Sequence, residues 1–271
     1  MERTLTAALG AGGAGLVAFV GAGGKTTALQ RLVVELAGAT SGVIATTTTA
    51  MFGRELASLG PLVLAEGDAA GARARCREAL SHAAAVALAA HTAPAGKVKG
   101  LAPEEVDQLW ARRPAGSIVV EADGSRGLPL KAFGAAEPQL PRRTSLAVVV
   151  AGLDVLGTPL DAAHVHRAEL LEPLMAAAMG VAVTPSTLAQ VVALQVRRVR
   201  ELVPAASVAV LLNKADTAQL AAAGEQAASL LLEPAGELGR PADPGGVPDR
   251  VVVGSLSQGV YRVVPARTVE P

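Results

Sequence analysis

The stretch Val17-Ala18-Phe19-Val20-Gly21-Ala22-Gly23-Gly24-Lys25-Thr26-Thr27 decides the fold predicted for this chain. Its apolar start predicts a buried strand, and the run after it predicts a helix. A strand, a glycine-dense turn, Gly-Lys-Thr and a helix form the layout of a phosphate-binding loop. Glycine lets the backbone curl so that its N–H groups face one anion, and the helix start adds more N–H groups and a positive dipole end. The residues predicted to hold the phosphates of a nucleotide are Gly21, Ala22, Gly23, Gly24, Lys25, Thr26 and Thr27.

Two side chains of this loop have expected roles of their own. We expect Lys25 to bring a positive charge to the outer phosphates and Thr26 to offer its hydroxyl to a phosphate-bound Mg²⁺. The spacing Gly21-x-x-Gly24-Lys25 is shorter than the common Gly-x-x-x-x-Gly-Lys and resembles that of the Mur ligases. A glycine-rich turn that binds nothing is the plain alternative, whereas a dinucleotide fingerprint would need glycine where Thr26 stands.

Length and composition favour one α/β protein with an aliphatic core. The 271 residues are 51% hydrophobic but only 2% aromatic, so the core must consist of valine, leucine and alanine. We predict a single three-layer, P-loop NTPase-like α/β domain with a mainly parallel sheet over residues 1–271. Residues 1–15 are expected to be a lead-in and residues 261–271 a tail.

Charge, cysteine content and hydropathy argue against a nucleic-acid partner, an internal disulfide and a membrane-spanning helix. The formal net charge is +0 and the pI is about 6.9, which argues against a broad basic face for nucleic acid. Cys76 is the single cysteine, so the chain has no internal disulfide, which fits a reducing cytoplasm. No run reaches the ~20 apolar residues that a membrane-spanning helix needs. Residues 5–24 resemble a signal peptide, but cleavage there would remove the phosphate loop, so we expect a cytoplasmic protein.

Residues 42–49 predict a second strand that ends in a run of threonines. β-Branched residues favour strands in any case, but the carboxyl ends of parallel strands face the ligand crevice. We therefore name Thr46 and Thr47 as candidate ligands of a phosphate oxygen or of Mg²⁺.

Another buried strand ends in two carboxylates, within Val119-Val120-Glu121-Ala122-Asp123-Gly124. Alternate residues of an extended chain point to the same side, so Glu121 and Asp123 can meet one metal ion. Acid at the tip of an apolar strand is typical of nucleotide sites, where it holds Mg²⁺ or its water shell. We predict a metal site of Thr26, Glu121 and Asp123, and catalytic roles for Lys25, Glu121 and Asp123. A solvated acidic turn is the alternative.

A further strand ends in Asn213-Lys214-Ala215-Asp216. In GTP-binding proteins an Asn-Lys-x-Asp tetrad recognises guanine, because its aspartate accepts hydrogen bonds from the ring N–H and the exocyclic amine. Adenine lacks this pair of donors and leaves the carboxylate unpaired. We predict base recognition by Asn213, Lys214 and Asp216, with Ser255 in a loop that closes over the base. A polar turn before a helix is the alternative.

Two other segments carry polar groups without a decisive pattern. Residues 96–101 predict a flexible basic loop that either closes over an anion or is simply solvated. His164 and His166 precede a predicted helix that ends near Gly180, and helical spacing would separate the two rings. Without a third ligand, capping or surface roles are favoured over metal binding.

Taken together, these motifs resemble one known family, the selenium-dependent hydroxylase accessory proteins, also called YqeC-like or selenium cofactor biosynthesis proteins. The matching motifs are Val20-Gly21-Ala22-Gly23-Gly24-Lys25-Thr26-Thr27, Val120-Glu121-Ala122-Asp123-Gly124-Ser125-Arg126-Gly127, Pro129-Leu130-Lys131, Glu137-Pro138, His164-Val165-His166-Arg167 and Leu212-Asn213-Lys214-Ala215-Asp216. Residues 46–49, 96–101 and 152–159 also match, and all matches occur in family order. Phe133 departs from the family, in which proline is expected.

The resemblance implies a cytoplasmic P-loop protein that makes or inserts the selenium-containing cofactor of molybdenum hydroxylases. The site residues it implies are Glu121, Asp123, Arg126, Lys131, His164 and His166. We expect an Mg²⁺-dependent NTPase, with GTP favoured over ATP, and a selenium-dependent molybdenum hydroxylase or a protein of its cofactor pathway as partner. The alternatives are a nucleotide-gated chaperone with little turnover and a Mur-ligase-like or kinase-like enzyme that transfers phosphate to a small molecule.

Overall fold

A nine-stranded sheet forms the centre of the computed structural model, which describes residues 2–13, 15–174, 179–233 and 244–265. In spatial order its strands are β14 (Val260–Val264), β13 (Arg250–Ser255), β12 (Ser207–Asn213), β10 (Leu146–Gly152), β1 (Leu16–Gly21), β8 (Ser117–Glu121), β2 (Val43–Thr47), β5 (Ala85–Ala89) and β4 (Leu62–Leu64). Neighbouring strands are parallel except β13 and β14. Because β8 is a parallel neighbour of β1, the glycine-rich loop after β1 and the acidic end of β8 lie side by side at the carboxyl ends of the strands.

Helices cover both faces of this sheet. One face packs α1 (Leu5–Leu9), α2 (Lys25–Ala37) and α3 (Gly53–Ala57), and the other packs α4 (Ala69–Leu80), α5 (Pro103–Ala111), α6 (Pro185–Leu202) and α7 (Ala218–Leu232). Alternate side chains of β1 enter the two cores, so that Phe19 packs on the side of α2 and Val20 on the side of α6. This arrangement confirms the predicted three-layer, P-loop NTPase-like fold with a mainly parallel sheet.

Two smaller sheets lie outside the central one. Strands β3 (Ala50–Phe52), β7 (Lys97–Lys99) and β6 (His91–Ala93) form an antiparallel sheet, and β9 (Leu130–Lys131) pairs in parallel with β11 (Val165–His166). The flexible loop predicted for residues 96–101 is therefore wrong, because β7 pairs on both sides.

Both ends of the described chain belong to the fold. Glu35 of α2 accepts hydrogen bonds from the N–H groups of Leu5 and Thr6, at 3.1 and 2.7 Å, and within the predicted lead-in residues 5–9 form a helix. Strand β14 pairs with β13, and Tyr261 is only 1% exposed. The tail predicted from residue 261 is therefore wrong as far as residue 264, and residues 266–271 lie outside the described residues.

The segment after β11 also differs from the prediction. Residues 168–174 form the short 3₁₀ helices Ala168–Leu170 and Glu172–Leu174, and residues 175–178 of the predicted helix lie outside the described residues. His166 itself lies in a strand, so the expected helical spacing of the two histidines is wrong. Within the described ranges, the structure contains no helix with the length and apolarity required to cross a membrane.

Candidate functional site

The glycine-rich loop between β1 and α2 packs closely on the backbone of β10. A Cβ atom on Gly21 would lie 2.3 Å from Val150 O, and one on Gly23 would lie 2.2 Å from Gly152 N. The φ angles of Gly21 and Gly23 are +92° and +77°, a region that favours glycine. Both the conformation and the close approach therefore exclude a side chain at these two positions.

Three N–H groups of the loop are bonded within the protein. The N–H groups of Gly21, Ala22 and Gly23 donate to Asp123 Oδ2 at 3.0 Å, Val150 O at 2.8 Å and Leu128 O at 3.1 Å. These hydrogen bonds fix the loop on the sheet. The sequence predicted instead that these N–H groups face an anion. Because they already have protein acceptors, an anion would be bound by the N–H groups at the start of α2.

The start of α2 differs from the starts of α4, α6 and α7. The first turns of α4, α6 and α7 are capped by Asp68, Thr184 and Thr217, whose side chains accept a backbone hydrogen bond. Helix α2 follows Gly24, and among the described residues no side chain caps it. An uncapped helix start offers N–H groups and the positive dipole end to an anion.

Lys25 is the first residue of α2 and is almost fully buried. Its Nζ donates a hydrogen bond to Gly21 O at 2.7 Å and lies 3.2 Å from Asp123 Oδ1. The ammonium group is thereby held against the loop, beside the uncapped helix start.

Thr26 joins the helix start to the acidic strand end. Its Oγ1 donates to Glu121 Oε2 at 2.8 Å, because β8 lies directly beside β1. Burial raises the pKa of the Glu121 carboxyl, and although the Lys25 charge and the Thr26 hydrogen bond oppose this rise, the charges of Asp123 and Glu55 add to it. Burial disfavours the ionised carboxylate, and a positive charge beside it favours that form.

Asp123 is fully buried between two lysines. Lys131 Nζ lies 3.0 Å from Asp123 Oδ2 and also donates to Gly124 O at 2.6 Å. Lys25 approaches Asp123 Oδ1 without hydrogen-bond geometry, and within the described ranges this buried oxygen has no hydrogen-bond donor. Asp123 thus fixes the loop and both lysines while keeping one oxygen without a directed partner.

The ion pairs continue beyond Lys131. Glu137 Oε2 accepts from Lys131 Nζ at 2.8 Å and also from Arg167. Burial raises the pKa of Glu137, but the hydrogen bond and charge of Lys131, the Gly134 N–H group and the charge of Arg167 together lower it below the ordinary value. The charges of Lys25, Asp123, Lys131, Glu137 and Arg167 alternate in sign, and we call these five residues the charge chain.

The oxygen atoms at the helix start fit a magnesium ion that is shared with phosphate. Mg²⁺ prefers hard oxygen ligands and is usually held by one or two carboxylates together with phosphates and waters. Thr26 and Glu121 offer a hydroxyl and a carboxylate 2.8 Å apart, whereas the two oxygens of Asp123 lie 3.2 and 3.0 Å from Lys25 and Lys131. Among the described residues no group of three or more His, Cys, Asp or Glu could hold a metal ion by itself.

The two threonines predicted as ligands lie at the end of β2 and are fully buried. Thr46 Oγ1 donates to Leu88 O at 2.8 Å, and Thr47 Oγ1 donates to Glu121 O at 2.9 Å. Both hydroxyl protons therefore serve the sheet, and Thr47 supports the strand that carries Glu121. Their ligand role stays a prediction.

The end of β12 contacts the glycine-rich loop. Asn213 Nδ2 donates to Gly23 O at 2.9 Å, and Asn213 Oδ1 accepts from the Leu256 N–H group at 3.1 Å. Asn213 thus connects the loop to the turn after β13, and the predicted base-recognition segment lies beside the predicted phosphate site.

The carboxylate of Asp216 is exposed and faces the turn after β13. Its Oδ1 accepts from Ser255 Oγ at 2.6 Å and from Ser257 Oγ at 3.2 Å. Lys214 Nζ pairs with Asp154 Oδ2 at 2.6 Å. The structure therefore brings Lys214, Asp216 and Ser255 to one end of the sheet, where the side chains of Ser255 and Lys214 have protein partners.

Of the residues that only the family resemblance indicated, Lys131 belongs to the charge chain and His166 lies beside it in the neighbouring strand β11. Arg126 is exposed with φ of +54°. Burial lowers the pKa of His166, and the positive charges of Lys131, Arg167 and Arg126 lower it further. His164 Nδ1 lies 2.8 Å from Asp161 Oδ1, a contact near its own position in the chain.

Sequence reasoning assigned no role to Glu137, Asp154 or Arg167. Glu137 and Arg167 occur within motifs of the family resemblance, but they are 30 residues apart and follow no period that would pair them. Only the fold places these charges beside Lys131 and Lys214.

The fold and the loop define a P-loop NTPase-like α/β protein. The family model described as YqeC protein matches residues 17–169, so the chain belongs to the YqeC family. The protein of Escherichia coli (strain K12) named "Uncharacterized protein YqeC" is 36% identical to this chain over 152 residues. That match covers 56% of this chain and 57% of the relative, so the chain spans little more than half of the relative's length. No solved structure gives a significant match.

Proposed function

We propose that this protein binds a nucleoside triphosphate with Mg²⁺ at the start of α2 and hydrolyses it, with GTP favoured over ATP. The observation that carries the proposal is the uncapped helix start, beside which Lys25 is held and Thr26 is hydrogen-bonded to Glu121. A helix start with an adjacent ammonium group favours a phosphate chain over a neutral ligand.

Each residue of the site has a proposed task. The N–H groups at the start of α2 and Lys25 Nζ receive phosphate oxygens. Thr26 and Glu121 hold Mg²⁺, which when bound neutralises charge on the phosphates. We assign Asp123 to positioning, because direct metal contact would require it to give up a lysine that it now holds.

Recognition of guanine is the finer part of the proposal. The exposed carboxylate of Asp216 is supported on one oxygen by Ser255 and Ser257, and Asn213 fixes the distance between this segment and the glycine-rich loop. Guanine presents two donors to such a carboxylate and adenine does not. The family model ends at residue 169, so this part depends on the Asn-Lys-x-Asp motif and on the local geometry.

The pathway is proposed from the family resemblance. We propose that nucleotide hydrolysis serves the synthesis or insertion of the selenium-containing cofactor of molybdenum hydroxylases. Phosphate release accelerated only by the hydroxylase would favour the nucleotide-gated chaperone instead. A phosphorylated small molecule in place of free phosphate would favour the transferase.

Calorimetric titration of the full chain with GTP and ATP, with and without Mg²⁺, tests the phosphate site. We expect Lys25→Ala to weaken binding about 10- to 100-fold, since a charge-assisted contact is lost. In Thr26→Ala, nucleotide affinity should no longer depend on Mg²⁺. Thr26→Ser keeps the hydroxyl, so its nucleotide affinity should still depend on Mg²⁺. Binding that is the same in the parent and all three variants would contradict the site.

The same titration with Asp216→Asn tests base recognition separately. The amide presents a donor to the guanine donors, so we expect the preference for GTP over ATP to fall by about tenfold. Glu78→Gln, at an exposed acid of α4, is the control and should leave the preference unchanged. If Asp216→Asn leaves it unchanged as well, the guanine assignment is wrong while the phosphate site stands.

A further inference from the structure

The three-stranded sheet of β3, β7 and β6 has one buried face and one exposed face. Met51 of β3 and Val98 of β7 are paired in register, and both are buried in the core that contains α2. Because side chains alternate along a strand, the residues on either side of these two point away from the core. We use the name basic face for the exposed residues Phe52, Arg54, His91, Lys97 and Lys99.

Three cations of the basic face have no acidic partner. The charged groups of Arg54 and Lys97 lie over the ring of Phe52, 5.3 and 5.2 Å from its centroid. Neither these two side chains nor that of Lys99 forms a salt bridge within the part of the chain that the structure describes. Each of the other lysines lies within 3.2 Å of a carboxylate oxygen, namely Lys25, Lys131 and Lys214. The basic face therefore carries a net positive charge that favours an anionic partner.

The basic face lies at the same ends of the strands as the candidate phosphate site. The Leu101 N–H group donates to Thr47 O at 2.9 Å, and the Ala90 N–H group donates to Lys99 O at 2.9 Å. The small sheet thus continues directly from the carboxyl ends of β2 and β5. Strand β2 is in turn the neighbour of β8, which carries Glu121.

The spacing of the two lysines matches an extended polypeptide. Lys97 and Lys99 are two residues apart on β7, which places their Cα atoms about 6.6 Å apart on the same side of the strand. In an extended segment of another protein, alternate side chains recur at the same distance. Acidic residues at alternate positions of such a segment can therefore each meet one of these lysines.

The basic face suits an acidic polypeptide better than a nucleic acid. Proteins that bind single strands supply aromatic rings on which the bases stack. Phe52 provides the phenyl ring of this face, and two cations already lie over it. The formal net charge of the whole chain is +0, so no general excess of positive charge supports binding to a phosphate backbone.

We propose that the basic face docks an extended acidic segment of a partner protein. Carboxylates at alternate positions of that segment pair with Lys97 and Lys99, and a further acidic residue lies near Arg54. The basic face does not include the start of α2, so the inference does not depend on nucleotide binding.

Two labelled peptides of eight residues and equal charge test the spacing. One alternates glutamate and threonine, and the other has its four glutamates first and its four threonines after them. Fluorescence anisotropy with the full chain at low salt, where exposed charges are least screened, measures their binding. We expect one saturable site that prefers the alternating peptide by about two- to fivefold. Equal affinity for the two peptides, or binding without saturation, would overturn the proposal.

Two double variants that remove the same charge test the location. Lys97→Gln with Lys99→Gln should weaken binding of the alternating peptide about three- to tenfold, since two ion pairs are lost. Arg142→Gln with Arg143→Gln is the control, because both arginines are exposed and neither side chain forms a salt bridge among the described residues. None of the four side chains is buried, so both variants should fold.

The control variant should bind the alternating peptide as the parent does. Equal weakening by both double variants would mean that overall charge, and not the basic face, attracts the peptide. An oligothymidylate of eight nucleotides, titrated under the same conditions, tests the class of partner. Tighter binding of the oligonucleotide than of the alternating peptide would overturn the assignment to an acidic polypeptide.

Discussion

Glu121 is the residue at which stability and the proposed function conflict. Burial raises the pKa of its carboxyl above the ordinary value of 4.5, so the folded state binds this proton more tightly than the unfolded state does. Its contribution to stability is therefore present below pH 4.5 and is lost as the pH rises through the raised pKa. We predict that Glu121→Gln raises the Tm of the metal-free protein at neutral pH, by about 2–4 °C for each kcal/mol relieved, and leaves it nearly unchanged below pH 4.5.

The same substitution should have the opposite effect on ligand binding. Glutamine keeps an oxygen for the Thr26 hydroxyl but removes the charge, so we expect Mg²⁺-dependent nucleotide binding to weaken about tenfold or more. Scanning calorimetry and titration on the same preparation measure both effects, with Glu78→Gln as a control that should show neither. A lower Tm at neutral pH together with unchanged nucleotide affinity would contradict both roles of Glu121.

At the scale of elements, the sequence predicts the strands and helices whose residues follow a local pattern, such as a continuous apolar run. Strands β1 and β10 are unbroken apolar runs, β8 has the apolar centre Ile118–Val120, and all three are buried along their whole length. Helix α1 and strand β14 follow no such rule, because each is buried by a partner distant in sequence. The Glu2 N–H group donates to Tyr261 O at 2.9 Å, so the two ends of the described chain contact each other. No local pattern could have indicated that pairing.

Tyr261 tests whether β14 is a packed strand. Its side chain is 1% exposed, burial raises the pKa of its hydroxyl, and among the described residues that hydroxyl has no hydrogen-bond partner. Tyr261→Phe removes an unpaired polar group and should leave the free energy of unfolding unchanged or higher. Tyr261→Ala opens a cavity and should lower it by about 3–5 kcal/mol, measured by urea unfolding. A tail residue would tolerate both changes, so an unaffected alanine variant would contradict the strand.

At the scale of the whole molecule, the candidate site collects segments from both halves of the chain. Motifs at the ends of parallel strands could be placed in advance, because those ends share one edge of the sheet. The contacts of Thr26 with Glu121 and of Asn213 with Gly23 follow from that rule. The charge chain could not be foreseen, since its members after Asp123 lie on irregular segments or on two-residue strands.

Glu137 joins Lys131 to Arg167 within the charge chain, and its titration is measurable. Its lowered pKa means that its ion pairs contribute stability above the ordinary pKa of 4.5, and that this contribution is lost as the pH falls through the lowered value. We predict that Glu137→Gln costs about 1–3 kcal/mol at neutral pH, because Lys131 and Arg167 lose a charged partner. The difference in the free energy of unfolding between parent and variant should shrink in acid, because protonated Glu137 is then neutral like the glutamine. Urea unfolding over a pH series measures it. A difference that does not change with pH would mean that Glu137 acts through its shape, and the charge of Lys131 would then be balanced by Asp123 alone.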